Sequence, residues 1–391
     1  MIQMNRRARF VILFVSLPLV AFTIVGGVLG QAVAREDTYR HLRIFEDVVS
    51  LITNNYVEEV ELEGVIQGAL RGLAGGLDSE SAFLSAAEVL AIETGESIPA
   101  GELGLDIASQ YYLQIIAVRP GSPAERAGLI PGDFIRTIDG QTTRRLSIIE
   151  GKKLLLGPPG GPIHLSLIRG NTTEPYDIEL TLERPSDSIV ETSMQDDTIG
   201  YIKVHQFSAG AADEIASSAS TLLRNGARAF LVDVRNISGG SFDEAIATAR
   251  LFVESGTLLR RTESGSEEEV TITAASGDQP IDVPVVLLTD FGTAHAAEVF
   301  VAGLAGTNRA DTVGQRTAGR ASLQKLIKLP DGTGLWLSWA RYLKASGDPI
   351  HRAGVLPTVA VEIPSVELGE PVPPGDPILE QGVEHIRSMI L

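Results

Sequence analysis

Three short stretches carry residue types suited to chemistry. In 289–298, TDFGTAHAAE, the apolar run Val283–Leu288 enters a turn of small residues and then what reads as a helix. Such a turn displays one side chain at the helix start, and here that residue is His295. In 232–245, VDVRNISGGSFDEA, Asp233 and Arg235 stand at a strand end, followed by Gly239-Gly240. Adjacent glycines ahead of a helix let backbone N–H groups converge on an anion or an oxyanion. In 313–324, VGQRTAGRASLQ, Gly314 and Gly319 lead up to Arg320, with Gln324 beyond it. His295 is a candidate general base. Asp233 or Glu298 would then have to orient its ring.

The elements that must hold these stretches alternate in pattern. Strands are expected over Ile199–Val204, Ala229–Val234, Val283–Leu288 and Thr333–Leu343. Helices are expected over Ala211–Leu223, Ser241–Val253 and Ala294–Leu304. The βα alternation predicts a core sheet covered by helices. Upstream, 100–184 is β-rich. It has a strand over Tyr111–Val118, another at Phe134–Ile138, a helix over Leu146–Leu156 and an alternating strand, IHLSLIR. Residues 36–95 are helical in period, with Leu42, Phe45, Val48, Val49 and Ile52 in one run and Val65, Ile66, Ala69, Leu70 and Leu73 in the next. Gly75-Gly76 stops the second run. Glu362–Pro377 reads as a surface connection, and Pro377–Ile390 as a closing amphipathic helix.

Bulk composition excludes several functions. The net charge of −18 is the wrong sign for a phosphate backbone, so nucleic acid is not expected as a partner. The absence of cysteine excludes thiolate catalysis, disulfides and Cys-ligated zinc. Six scattered histidines without HExxH spacing indicate no metal site, and no cofactor is expected. Arg6, Arg7 and Arg9 precede 21 uncharged residues, Phe10 to Gly30, enough to span a bilayer. The positive flank predicts a cytoplasmic N-terminus and an extracytoplasmic bulk, as in a single-pass bacterial-type membrane protein. A cleaved signal peptide is the alternative, with Ala32-Val-Ala34 as its cleavage site.

Two resemblances follow. RPGSPAERAGLIPGDFIRTIDG (119–140) closely resembles a PDZ domain, in which a peptide C-terminus adds a strand to a sheet edge. By that resemblance Gly101, Glu102, Leu103, Gly104 and Leu105 form the carboxylate-binding loop, although the Glu102 carboxylate would repel a peptide terminus. A PDZ fold without peptide binding is the plain alternative. Further on, the chain is similar to the carboxyl-terminal processing peptidases, the tail-specific protease family. GALRGLAGGLDSESAFLSAAE (68–88), IGYIKVHQF (199–207), DVRNISGG (233–240) and RYLKASGDPIHRAGVLPTV (341–359) carry the likeness. It implies an α/β multidomain chain. The parts are a membrane anchor or signal (1–34), a helical segment (35–98), a PDZ domain (99–184), a crotonase-like serine peptidase core (185–365) and a C-terminal connection with a helix (366–391).

The same resemblance implies a Ser–Lys dyad, and both positions have changed. The family serine lies three residues before a glutamate that matches Glu298, which puts His295 at the nucleophile position. The family run G-x-x-T-x-G-K-x-x-x-Q matches Gly314–Gln324, with Arg320 at the lysine and Gln324 kept. Gly239, Gly240 and Ala296 are the implied oxyanion-hole donors. A Ser–Lys dyad needs a neutral amine, which a guanidinium cannot supply. Imidazole is a poor substitute for the hydroxyl. Relocated partners at Thr293, Ser322, Lys325 or Lys328 are the remaining options.

The leading expectation is therefore an inactive pseudopeptidase that binds protein or peptide C-termini through its PDZ domain and cleft. It would act alone, as a homodimer, or with an active relative. The alternatives are an active serine-type endopeptidase with an altered centre and a structural subunit of a membrane complex.

Overall fold

The computed structural model describes residues 40–95, 99–170, 174–274, 281–364, 366 and 375–390. The apolar stretch 10–30 and most of the 362–377 connection lie outside the described residues. Among the described residues no helix is long and apolar enough to cross a membrane.

The chain divides into two compact units, 1–72 and 73–391. In the first, helix α1 runs over 40–55 and α2 (Leu62–Gly75) follows. α2 ends at Gly75, where the glycine pair predicts it.

In the second unit a short strand, β1 (Ala82–Leu84), leads to α3 (Ala86–Thr94), whose N-cap Ser85 and Glu88 form a capping box. The β-rich module holds β2 (Leu105–Ser109), β3 (Leu113–Val118), α4 (Pro123–Arg126), β4 (Phe134–Ile138), β5 (Gln141–Thr142), α5 (Ile148–Leu154), β6 (Pro162–Ile168) and β7 (Tyr176–Thr181). Its sheet order is β2-β3-β4-β6-β7, which leaves β2 at an edge. β3 starts at Leu113 rather than at Tyr111, because Gln110 and Tyr112 close the β2–β3 turn through a backbone bond.

The core follows as β8 (Val190–Met194), β9 (Ile199–Val204), α6 (Ala211–Arg224), β10 (Ala229–Asp233), α7 (Phe242–Arg250), β11 (Gly256–Glu263), β12 (Val270–Ala274), β13 (Val285–Thr289), α8 (His295–Ala305), β14 (Asp311–Gly314), β15 (Ser322–Lys328), β16 (Gly334–Lys344), β17 (Val359–Ala360) and α9 (Pro377–Ile390). One sheet has the order β17-β14-β13-β10-β9-β8, parallel except at the β8 edge. Its central strands are buried on both faces, which explains their unbroken apolar sequences. Phe230 and Val232 of β10 face the cluster built with α6, α7 and α8, and Ala229 and Leu231 face Ile378 and Ile386 of α9. A second sheet, β1-β16-β11-β12, takes β15 on β16.

Candidate active site

β10 and β13 are neighbouring parallel strands, so the loops at their carboxyl ends emerge side by side. In open α/β sheets such strand ends are where ligands bind. The β10 loop carries Asn236, Ser238, Gly239 and Gly240, and the β13 loop carries His295. The Ala294 N–H donates to Ile237 O at 2.9 Å and ties the two loops together.

His295 begins α8 with φ +49, in the left-handed region. A non-glycine residue there stores about 1–3 kcal/mol of strain and marks a constrained site. Gly239 (φ +86) and Gly240 (φ +85) are left-handed too. A Cβ on Gly240 would stand 3.0 Å from the Phe207 carbonyl oxygen, so the loop needs glycine there. α8 has no side-chain cap. The first-turn N–H groups of such a helix, Ala296 among them, are intrinsically without helical partners. Ala296 itself is buried.

His295 is held from both sides. Its Nε2 lies 2.7 Å from Glu80 Oε1, and its Nδ1 lies 3.0 Å from Ser238 Oγ. The Glu80 Oε1 atom also accepts a longer bond, 3.4 Å, from Arg320 Nη1. The other oxygen, Oε2, accepts from Ser322 Oγ at 2.7 Å and Gln324 Nε2 at 2.6 Å. Burial alone would raise the Glu80 carboxyl, but His295, Ser322 and Arg320 reverse this and lower it to about 2. Glu80 is held by a turn in which Asp78 Oδ1 accepts from the N–H groups of Glu80 (2.9 Å) and Ser81 (2.7 Å). Beyond that turn, β1 pairs antiparallel with β16.

Glu298, fully buried in α8, fixes the approach of Arg320. It accepts from the Gly319 N–H at 2.7 Å, the Arg320 N–H at 2.6 Å and the Thr317 hydroxyl. It therefore does not orient His295. Asp233 does not either, because its carboxylate is occupied by Arg235 and Tyr201. The carboxylate missing from the sequence reading is Glu80, and the hydroxyl is Ser238. Thr293 donates to Val234 O and Asp290, away from the site. Ser322 touches Glu80 rather than His295, and Lys325 and Lys328 lie further along β15.

The PDZ-like module borders this centre. Ala108 and Ile116 pack with Ala294, Phe291 and Ala318. The Ser109 N–H on β2 donates to Ser79 O, next to Glu80, at 3.2 Å. Asp106 of β2 brings a carboxylate oxygen to 4.0 Å from where a Gly239 Cβ would stand. Burial pushes the Asp106 carboxyl up, against the pull of Lys152, His295 and Arg320. In the loop 101–105, Gly101 and Glu102 bridge to Gly157 and Glu183, and Leu103 is buried. Leu105 starts the edge strand β2. Gly104 has φ +75, and a Cβ there would strike Ser122 at 2.3 Å. The Glu102 carboxylate is paired with Arg119, which offsets the expected repulsion of a peptide terminus. A cavity of about 470 Å³ adjoins the centre through Asp78 and Ser322, with Arg341, His351 and Arg352 on its wall.

Residues 198–361 match the family model Peptidase family S41, and residues 114–169 match a PDZ domain model. The carboxyl-terminal-processing protease of Synechocystis sp. is 35% identical over 269 residues, 68% of this chain and 62% of that protein. The carboxy-terminal processing protease CtpA of Bacillus subtilis is 28% identical over 320 residues, 80% of this chain and 67% of that protein. The chain thus spans about two thirds of the length of these relatives. Among solved structures, the photosystem II D1 C-terminal processing protease has the same fold, with TM-score 0.69 and 24% identity, covering 81% of this chain and 92% of that one. The chain belongs to the carboxyl-terminal-processing peptidase family and carries a PDZ domain beside an S41 α/β core.

Proposed function

We propose that this chain is a serine-type peptidase of the carboxyl-terminal-processing family with an altered catalytic centre, and that it takes protein C-termini or exposed peptide segments. Loss of the Ser–Lys pair alone favours an inactive binder. One observation moves the balance: the side chain at the nucleophile position is held as a general base is held, with a carboxylate at 2.7 Å on one nitrogen and a hydroxyl at 3.0 Å on the other. A retired cleft gives no reason for that pairing. Peptide capture is supported by the β2 edge, which no further strand pairs among the described residues, and by the glycine-dependent turn at Gly104. The inactive-binder reading keeps one observation in its favour, the Arg320 guanidinium lying against Glu80.

We place the reaction outside the cytoplasm, with residues 1–34 as anchor or signal. Arg6, Arg7 and Arg9 before the apolar stretch support this. The test is cleavage of an unfolded protein by the full chain beside His295→Ala. Cleavage that falls at least about 10²-fold in the variant supports the reading. A silent parent, or an unaffected variant, returns the chain to the pseudopeptidase or structural reading.

A further inference from the structure

We propose that Ser238 is the nucleophile of this centre, and that Ser238, His295 and Glu80 form a catalytic triad on three separate segments of the chain. The inference rests on the reading of the cleft as an altered catalytic centre. It identifies the group that attacks and the substrate class, a peptide or ester carbonyl.

The geometry meets the requirements of such a unit. Ser238 Oγ and His295 Nδ1 are within hydrogen-bond reach at 3.0 Å. Glu80 Oε1 at 2.7 Å from Nε2 fixes the tautomer, with the proton on Nε2 and the lone pair on Nδ1 facing the serine. The order of nitrogens is the reverse of the familiar serine protease arrangement, but the roles need only one nitrogen for each partner. Ser322 and Gln324 hold the outer oxygen of Glu80, so the carboxylate cannot swing away. Ser238 is half-buried rather than enclosed, which a nucleophile needs. The next residue in the chain is Gly239, the first of the two left-handed glycines. The N–H after a nucleophile is a common oxyanion donor, and Gly239 and Gly240 supply two candidates. Arg320 shares Oε1 with His295, although at 3.4 Å, and so draws on the same carboxylate.

The reaction balances without a cofactor. Ser238 Oγ adds to the carbonyl carbon, and its proton passes to Nδ1 of His295. The oxyanion forms against the glycine N–H groups, while Glu80 stays ionised and faces the imidazolium. The C–N bond of a peptide, or the C–O bond of an ester, then breaks, and the leaving group takes the proton from Nδ1. The Ser238 ester is hydrolysed by a water whose proton goes to Nδ1 and then back to Ser238 Oγ. The net reaction is amide or ester plus water giving acid plus amine or alcohol.

The test is covalent labelling of the full-length chain with a fluorophosphonate, in which Ser238 Oγ displaces fluoride, followed by peptide mapping of the adduct. One adduct per chain on Ser238 is expected, lost in Ser238→Ala and slowed at least about 10²-fold in His295→Ala. Cleavage of an unfolded protein is measured on the same samples, with a drop of about 10³-fold or more expected in Ser238→Ala. Ser238→Cys, a conservative nucleophile, should regain labelling by iodoacetamide that depends on His295. Thermal melts check that each variant folds. An adduct on another serine overturns the triad, as does cleavage that needs His295 but survives Ser238→Ala; in the latter case the altered-centre reading stands. A chain that neither labels nor cleaves overturns both.

Discussion

Two buried charge clusters lie on the core, and their difference separates a lock from a working site. The first joins Asp233, Arg235 and Asp376. Arg235 donates two bonds to Asp233 (2.9 and 2.6 Å) and two to Asp376 (2.6 and 2.8 Å), and Tyr201 adds another to Asp233 at 2.7 Å. Burial works against the Arg235 charge, but both carboxylates overcome it and hold the guanidinium firmly ionised. The cluster is closed, and it ties the residue before α9 to the end of β10. The second cluster, at Glu80, is open. Its arginine contact is long, its histidine is strained and part-exposed, and a serine hydroxyl stands at its edge. Both clusters contain an arginine and a buried carboxylate. Only the second keeps a lone pair and a hydroxyl available for reaction.

The largest expected effect comes from trying to restore the family dyad. A lysine at the Arg320 position would face Glu80 as Arg235 faces Asp233, and a paired ammonium cannot take a serine proton. His295→Ser with Arg320→Lys is therefore expected to stay silent, and the triple variant that adds Glu80→Gln to exceed it by about 10³-fold in cleavage of an unfolded protein. Equal rates in the two would show that Glu80 does not control this position.

Next is the lock. Arg235→Ala leaves the buried Asp233 with only the longer Lys203 contact, 3.7 Å, as counter-charge, and loss of one partner of a buried pair costs about 3–5 kcal/mol. Urea unfolding should show that loss, while any fluorophosphonate labelling of the folded variant stays at the parent rate. A labelling defect in the folded variant would mean that the two clusters are coupled.

Glu80→Gln has a smaller effect on stability and a clear pH signature. The folded carboxyl titrates at about 2, against 4.5 for the ordinary group. A depressed carboxyl contributes stability that is present above about 4.5 and lost as pH falls towards 2. Urea midpoints at pH 5 and pH 3 should therefore converge between parent and variant at the lower pH. A gap that widens on acidification would contradict the ionised Glu80.

The smallest effect is at Asp106. Burial pushes its carboxyl up, towards the neutral form, beside the glycine loop where an oxyanion would form, so Asp106→Asn, a nearly isosteric neutral group, is expected to change kcat/KM by less than about two-fold. A larger fall would give Asp106 a positive role in binding substrate.

Much of the framework was legible in the chain. Ile199–Val204 and Pro377–Ile390 match the expected bounds, and the helix ending at Gly75 stops where the glycine pair indicates. Strands β8, β11 and β12 are not evident in the sequence: β8 and β12 are edge strands with mostly uncovered positions and mixed polarity, and β11, although interior to its sheet, reads GTLLRRTE with three charged residues in its second half. At the site, Gly239, Gly240 and His295 are legible from the turns that carry them, and Arg320 and Gln324 from the resemblance to the family run. Ser238 was passed over although it directly precedes the two glycines, and that position beside a turn built for an anion was the available signal. Glu80 had a weaker one, a carboxylate in the Asp78-Ser-Glu-Ser81 turn.

The sequence by itself determined what periodicity, glycine placement and residue type can encode: strands, helices and the left-handed loop; that a guanidinium unable to give up its proton stands at the base position is what the family resemblance implies. Only the tertiary structure decided which groups meet. Ser238 and His295 are 57 residues apart, and Glu80 and Ser322 are 242 apart. Their contacts arise because β10 and β13 pair in parallel and β1 docks antiparallel on β16. Strand pairing between distant segments leaves no local period in the sequence, so the partner of His295 became visible only when the sheets were assembled.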